Sequence, residues 1–126
     1  MSQQLQKEDV LRYLETWDGF EKSISEEGEA YKVIAINGSK AVVITTPYEV
    51  GEFYLEFSVD NEPYYYDWFE IMDESLSEFM LYTNEVVERY LFHEVRIISK
   101  GWLFFRSSEL QFQNNGSWCN VFNSKT

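Results

Sequence analysis

Between Lys40 and Arg89 the sequence contains no lysine or arginine. It also has one cysteine, one histidine, two prolines and six glycines in 126 residues, and no apolar run longer than about five residues. Each scarcity excludes something. A lone Cys119 cannot close an internal disulfide or a multi-cysteine metal site. A single histidine, His93, leaves one residue around which a nucleophile–base pair or a zinc centre would have to be built. Runs of that length are far short of the roughly 20 residues that span a bilayer, and MSQQLQKEDV lacks the apolar centre of a signal peptide. With the solitary cysteine this points to the cytoplasm. No GxGxxG, P-loop, HExxH, GxSxG or CxxC motif occurs, and neither cofactor nor metal is expected.

The basic-free stretch, residues 41–88, holds twelve acids and eleven aromatics. Residues 1–40 carry five bases against eight acids, and residues 89–126 five against two. The net charge of −12 therefore resides in the middle of the chain, and a pI near 4.4 is opposite to the basic footprint that nucleic acids and anionic membranes require. Segregated negative charge favours a basic protein partner. Disorder is not indicated, because 44% of residues are hydrophobic and 18% aromatic, and disordered chains need low hydrophobicity as well as high charge. The length suits one domain, residues 1–126, with a core of its own.

Residues 3–17 have the spacing of an amphipathic helix, with Val10, Tyr13, Leu14 and Trp17 on one stripe, Ser2 as its cap and Asp18-Gly19 as its end. Residues 20–29 are polar apart from Phe20 and Ile24 and read as a connection. Tyr31–Ile36 and Ala41–Thr46 are β-rich runs around Asn37-Gly38, a strong hairpin signal, with Pro47 closing the second. Along 52–59, Phe53, Leu55, Phe57 and Val59 alternate with Glu52, Tyr54, Glu56 and Ser58. Asp60-Asn61-Glu62-Pro63 reads as a turn and Tyr64–Ile71 as a returning strand. Ser75 with Glu78 forms a capping box for a helix to about His93, whose stripe is Leu76, Phe79, Met80, Thr83, Val86, Val87, Tyr90 and Leu91. The β-rich runs Arg96–Phe105, Glu109–Gln113 and Trp118–Phe122 follow, with Asn115-Gly116 as the last turn. The expected fold is α+β, an antiparallel sheet of about six to seven strands with two helices, in the order α-β-β-β-β-α-β-β(-β).

The chemically conspicuous segment is Tyr64-Tyr65-Tyr66-Asp67-Trp68-Phe69. On a strand, Tyr64, Tyr66 and Trp68 would point one way and Tyr65, Asp67, Phe69 and Ile71 the other, so aromatics occupy both faces although only one is needed for a core. Tyrosine and tryptophan combine large contact area with low entropic cost, and carboxylates among them suit a cationic protein surface. Tyr64, Tyr66 and Trp68 are the expected anchors, with Asp60, Glu62, Asp67, Glu70 and Asp73 as electrostatic partners. Asp67, Glu70, Asp73 and Glu74 are also close enough in sequence to be weighed as an acid–base pair. His93, at the expected helix end, and Cys119, in a short apolar run, read as structural residues.

The segment Glu85-Val86-Val87-Glu88-Arg89-Tyr90-Leu91-Phe92-His93-Glu94-Val95-Arg96, a helix with E-R-Y-L-F running into V-R after an acidic Tyr/Trp strand, resembles immunity proteins of bacterial polymorphic toxin systems, in particular those paired with NAD-hydrolysing toxins. The resemblance covers about 20 residues. It implies stoichiometric toxin binding without catalysis or cofactor. The order helix, strands, helix, strands in a small acidic chain is also similar to that of specialised secretion chaperones, which implies client binding and an exposed apolar strip. The opposing class, a small enzyme or ligand-binding domain, needs His93, tyrosines and a carboxylate to converge in a concavity.

Overall fold

A computed structural model of the chain describes residues 7–47, 52–70, 75–102 and 105–122. The expected cap at Ser2, the strand end at Ile71 and the carboxylates Asp73 and Glu74 lie outside the described residues. The elements are α1 (Lys7–Thr16), β1 (Glu21–Glu27), β2 (Ala30–Asn37), β3 (Lys40–Pro47), β4 (Glu52–Val59), β5 (Glu62–Glu70), α2 (Leu76–Phe92), β6 (Val95–Trp102), β7 (Phe105–Asn114) and β8 (Ser117–Asn120). The α+β class and the alternation of helix, strands, helix and strands are as expected. The single sheet is not: β1 to β5 form a five-stranded antiparallel meander, and β6 to β8 a separate three-stranded one.

One local misreading accounts for the extra strand. Residues 20–29, expected to be a connection, contain β1, which pairs along its whole length with β2 from Glu21↔Ile36 to Glu27↔Ala30. It is an edge strand and mostly exposed, so its backbone ladder is satisfied while its side chains remain polar, and periodicity gives no sign of it. The expected runs Arg96–Phe105 and Glu109–Gln113 correspond to two strands with different bounds, β6 ending at Trp102 and β7 starting at Phe105.

Two-residue turns set the registers. Asn37 pairs with Lys40, so the loop is Gly38-Ser39, with positive φ at Gly38 alone, the pattern of a type II′ turn. Asp60 and Asn61 both have positive φ and join Val59 to Glu62, the type I′ pattern. The four-residue turn read from the sequence is therefore two residues long, and Glu62 and Pro63 already belong to β5.

The division into two sheets has its physical reason at β5, the last strand of the meander. Pro63 has no N–H to offer a further strand. The pairs Phe57↔Tyr65 and Ser58↔Pro63 leave Tyr64 without a partner of its own, a bulge that twists the strand. Asp67, opposite Leu55, points its carboxylate to the core side. A proline, a bulge and an inward charge are devices that end a sheet. The C-terminal strands meet β5 through side chains instead: the Tyr65 hydroxyl donates to Ser108 O at 3.1 Å.

The core lies on one face of the meander. Tyr31, Val33, Ala35, Val42, Ile44, Phe53, Leu55 and Phe57 are buried there, in one cluster with the expected stripe of α2, Val10 and Leu14 of α1 and Trp17 just after it. Phe53 stands edge-on to Phe79 at 4.8 Å and Phe57 to Tyr90 at 4.8 Å. Leu110, Phe112 and Val121 of the second sheet and its final turn extend the same cluster. Burial of each such large side chain contributes about 1.5–3 kcal/mol.

Polar bonds fix α2 at both ends. Ser75 Oγ accepts the Glu78 N–H at 3.2 Å and lies 3.2 Å from Glu78 Oε1, so the expected cap forms. The Trp17 indole N–H donates to Met80 O at 3.1 Å. At the C-terminal end, where helix carbonyls lack intrahelical donors, the β2–β3 hairpin supplies them: Asn37 Nδ2 donates to Leu91 O at 2.8 Å, and Lys40 Nζ to Tyr90 O at 3.0 Å and also to His93 O. Arg89 Nη1 donates to Val121 O at 3.0 Å. The two bases that bracket the acidic stretch are thus both committed to holding α2. Replacing Lys40 by Met, which keeps the apolar stem, is expected to lower unfolding free energy by about 1.5–2 kcal/mol, and Asn37→Ala by about 1 kcal/mol, both read from urea unfolding.

Candidate docking surface

The other face of the meander is covered by no helix or strand among the described residues. Antiparallel pairing puts directly opposed residues on the same face, so the registers fix what this outer face carries. One row runs Ser25, Lys32, Thr45, Tyr54, Trp68, and the next Ser23, Ile34, Val43, Glu56, Tyr66. Beside them Glu52 is opposite Glu70. The β4–β5 end of this face is an aromatic patch among carboxylates: Tyr54 is 43%, Trp68 55% and Tyr66 63% exposed. Tyr54 and Trp68 stack with centroids 6.3 Å apart and planes inclined by 27°. A shallow depression of about 610 Å³, bordered by Glu27, Lys32, Thr45, Tyr54, Glu56 and Trp68 among others, lies over them.

The hydroxyls of this patch are tied to its acids. Tyr54 Oη donates to Glu52 Oε2. That hydrogen bond, then partial desolvation and the nearby charges of Glu52 and Glu70, raise the Tyr54 pKa above the ordinary tyrosine value. Tyr66 is raised as well, by desolvation first and then by the charge of Glu56 and a hydrogen bond to it. Both phenols remain protonated donors through the neutral range, and each orients a carboxylate. The one base of this face among the described residues, Lys32, is paired with Glu27 at 3.4 Å.

The structure sorts the expected anchors. Tyr66 and Trp68 face outward. Tyr64 does not share their face as strand alternation had predicted: the bulge turns it inward, where it is half-buried with its ring 6.4 Å from that of Tyr90. Among the expected acids, Glu70 is exposed beside the patch, and Asp60 and Glu62 are exposed at the β4–β5 turn. Asp67 is on the wrong side for an electrostatic partner of Trp68. It is half-buried on the core face, and its Oδ1 accepts the Trp68 backbone N–H at 2.8 Å. Asp67 and Glu70 therefore lie on opposite faces and do not form an acid–base pair. Tyr54, Glu52 and Glu56, which complete the patch, were not expected there. The alternation of β4 placed them on its solvent side, but only the β4–β5 register puts them beside Trp68 and Tyr66.

A second depression, about 500 Å³, lies between β5 and α2, lined by Phe69, Leu81, Tyr82, Glu70, Glu78 and Glu85. Glu70 belongs to its rim and to the outer face, so the acidic surface continues around the edge of β5. His93 is elsewhere: it is the exposed C-cap residue of α2, with Nδ1 3.1 Å from Gln113 O and its ring edge-on to Phe112 at 5.1 Å. It borders none of the depressions over the aromatic and acidic residues. Cys119 is half-buried on β8. Among the described residues no cluster of three His, Cys, Asp or Glu is arranged to hold a metal, and no helix is long and apolar enough to cross a membrane.

The chain matches no protein-family model, no curated protein and no solved structure.

Desolvation raises the Asp67 pKa, opposed by the Trp68 N–H bond. A folded pKa above the unfolded one means that the contribution of Asp67 to stability is greatest below the unfolded value and is lost as pH rises through the folded value. Asp67→Asn, which keeps the acceptor oxygen, is expected to raise unfolding free energy at neutral pH and to lose that advantage below about pH 4, near the ordinary aspartate pKa. Urea unfolding of both proteins at neutral and acidic pH measures this.

Proposed function

We propose that the chain is a binding protein of the immunity type, which neutralises a bacterial toxin by stoichiometric attachment, and that it docks a basic protein surface on the outer face of its five-stranded sheet. The observation that carries this reading is the exposure of Tyr66 and Trp68, stacked with or beside Tyr54 and ringed by Glu52, Glu56 and Glu70. Large aromatic rings left in water are the residue type that supplies the desolvated centre of interfaces. Carboxylates at the rim steer a cationic partner and pair with it. The bases at the boundaries of the acidic segment are bound elsewhere: Lys40 to Tyr90 O, and Arg89 to Val121 O and, at 3.6 Å, to Glu85. The commitment of His93 to the helix end withdraws support from an enzymatic site built around that residue. The resemblance of Glu85–Arg96 to immunity proteins agrees with the reading, although Val86, Val87, Arg89, Tyr90 and Leu91 of that segment are buried.

Co-expression with the product of the adjacent open reading frame, scored for toxicity alone and rescue of growth together, tests the reading directly. Trp68→Ala and Tyr66→Ala are each expected to weaken partner binding by about 30-fold, the effect of losing about 2 kcal/mol at a hot spot, while leaving the urea midpoint unchanged. Tyr64→Ala is expected to do the reverse, costing about 1–2 kcal/mol of stability because its ring packs on Tyr90. Association with the partner should slow as salt rises. Retention of full affinity in the Trp68→Ala/Tyr66→Ala double variant would falsify the docking surface.

A further inference from the structure

The exposed Trp68 has a covered counterpart in the same molecule. On the second sheet the guanidinium of Arg96 lies 4.1 Å from the ring centroid of Trp118. Arg96 Nε donates to Gln111 Oε1 at 2.8 Å, and Gln111 Nε2 donates in turn to Glu109 Oε2 at 2.6 Å. This protein therefore builds, from its own residues, an arginine laid on an indole and connected through an amide to a carboxylate. Around Trp68 the ring and the acids are present, and among the described residues no guanidinium lies on that ring. The indole is 55% exposed. Tyr54 stacks beside it, Glu70 is two residues along the strand, and Glu52 and Glu56 flank Tyr54 on the neighbouring one. Lys32, paired with Glu27 at 3.4 Å, is the base of this face among the described residues. Glu52 and Glu70 are directly opposed, a relation in which like charges repel. A cation placed between them relieves that repulsion.

We propose that the partner inserts an arginine over Trp68, its planar face on the indole and its N–H groups on the surrounding carboxylates. This rests on the reading of the outer face as the docking surface for a basic protein, and names the group that the surface recognises. The choice of arginine over lysine follows from the site. A guanidinium is planar, weakly hydrated and presents several donors in one plane, so it can stack on the ring and reach two carboxylates at once. An ammonium is a strongly hydrated point charge that can neutralise the acids but gains less from the ring.

The test uses the full chain and two short peptides of equal charge, one alternating glycine with arginine and the other glycine with lysine. Affinities are measured by isothermal titration calorimetry, and contact at Trp68 is followed in the unsubstituted chain through its indole N–H resonance, assigned by its disappearance in Trp68→Phe. The arginine peptide is expected to bind at least about five-fold more tightly than the lysine peptide. Trp68→Ala should abolish that preference, while Glu52→Gln and Glu70→Gln weaken both peptides. Equal affinities, both reduced by the Glu→Gln changes, would overturn the arginine site and leave the acidic docking face standing. A Trp68 resonance moved by neither peptide, or binding insensitive to all three substitutions, would overturn the arginine site and the docking face together.

Discussion

Helix α2 on one face of the meander is the contact on which the rest of the molecule depends. Its apolar stripe shares one core cluster with Phe53, Leu55 and Phe57, and its two ends are tied to three other parts of the chain. Trp17 bonds to it from just beyond α1, Asn37 and Lys40 from the β2–β3 hairpin, and Val121 receives Arg89 from it. The hairpin bonds are the more consequential. Unsatisfied carbonyls at a helix end need donors, and the hairpin tip meets that need with a neutral amide and an ammonium drawn from adjacent strands. The same ammonium lies 5.4 Å from the Tyr90 ring. Tyr90 is itself fixed, its hydroxyl donating to Ser58 O at 2.8 Å, with burial and then Tyr64 raising its pKa.

With the cover gathered on one face, the other is left to solvent. An antiparallel sheet tolerates this when its outward residues are polar, and β1 conforms, with serines and glutamates outward. β4 and β5 do not conform. Their outward residues are large aromatics alternating with acids, and their hydroxyl–carboxylate bonds orient the acids without hiding the rings. The acidity of the middle segment thus has two separate origins. Glu78 and Glu85 are ordinary solvent-side residues of an amphipathic helix. Glu52, Glu56 and Glu70 belong to a surface whose aromatic content folding does not require.

A single irregularity decides the composition of that surface. Strict alternation would put Tyr64 outward with Tyr66 and Trp68 and leave Tyr65 as the first inward residue. The bulge opposite Phe57 and Ser58 admits one extra residue, so Tyr64 and Tyr65 both contribute to the core side, against Tyr90 and Phe57 respectively. The same bulge, with Pro63 and the inward Asp67, ends the sheet at β5 and obliges the C-terminal strands to form a sheet of their own. The position of Asp67 is held at an electrostatic cost, since its carboxylate is partly removed from water with a backbone N–H as its hydrogen-bond donor.

The sequence by itself determined the elements whose side chains carry a period. The stripe of α2, the serine at its start, the buried alternation of β4 and the hairpins at Gly38 and Asn115-Gly116 were legible because each is a local relation between neighbours in the chain. It also determined that the aromatics of 64–69 exceed what one core face can use. Tertiary structure decided the rest. It made residues 21–27 a strand, because an edge strand is held by a neighbour's backbone and leaves no pattern in its own side chains. It shifted Tyr64 inward and brought Glu52, Tyr54 and Glu56 beside Trp68, because register is a relation between two strands. Lys40 and Arg89, seen in the sequence only as the limits of a charge gap, became the donors that hold α2, since the carbonyls they serve lie 50 and 32 residues away along the chain.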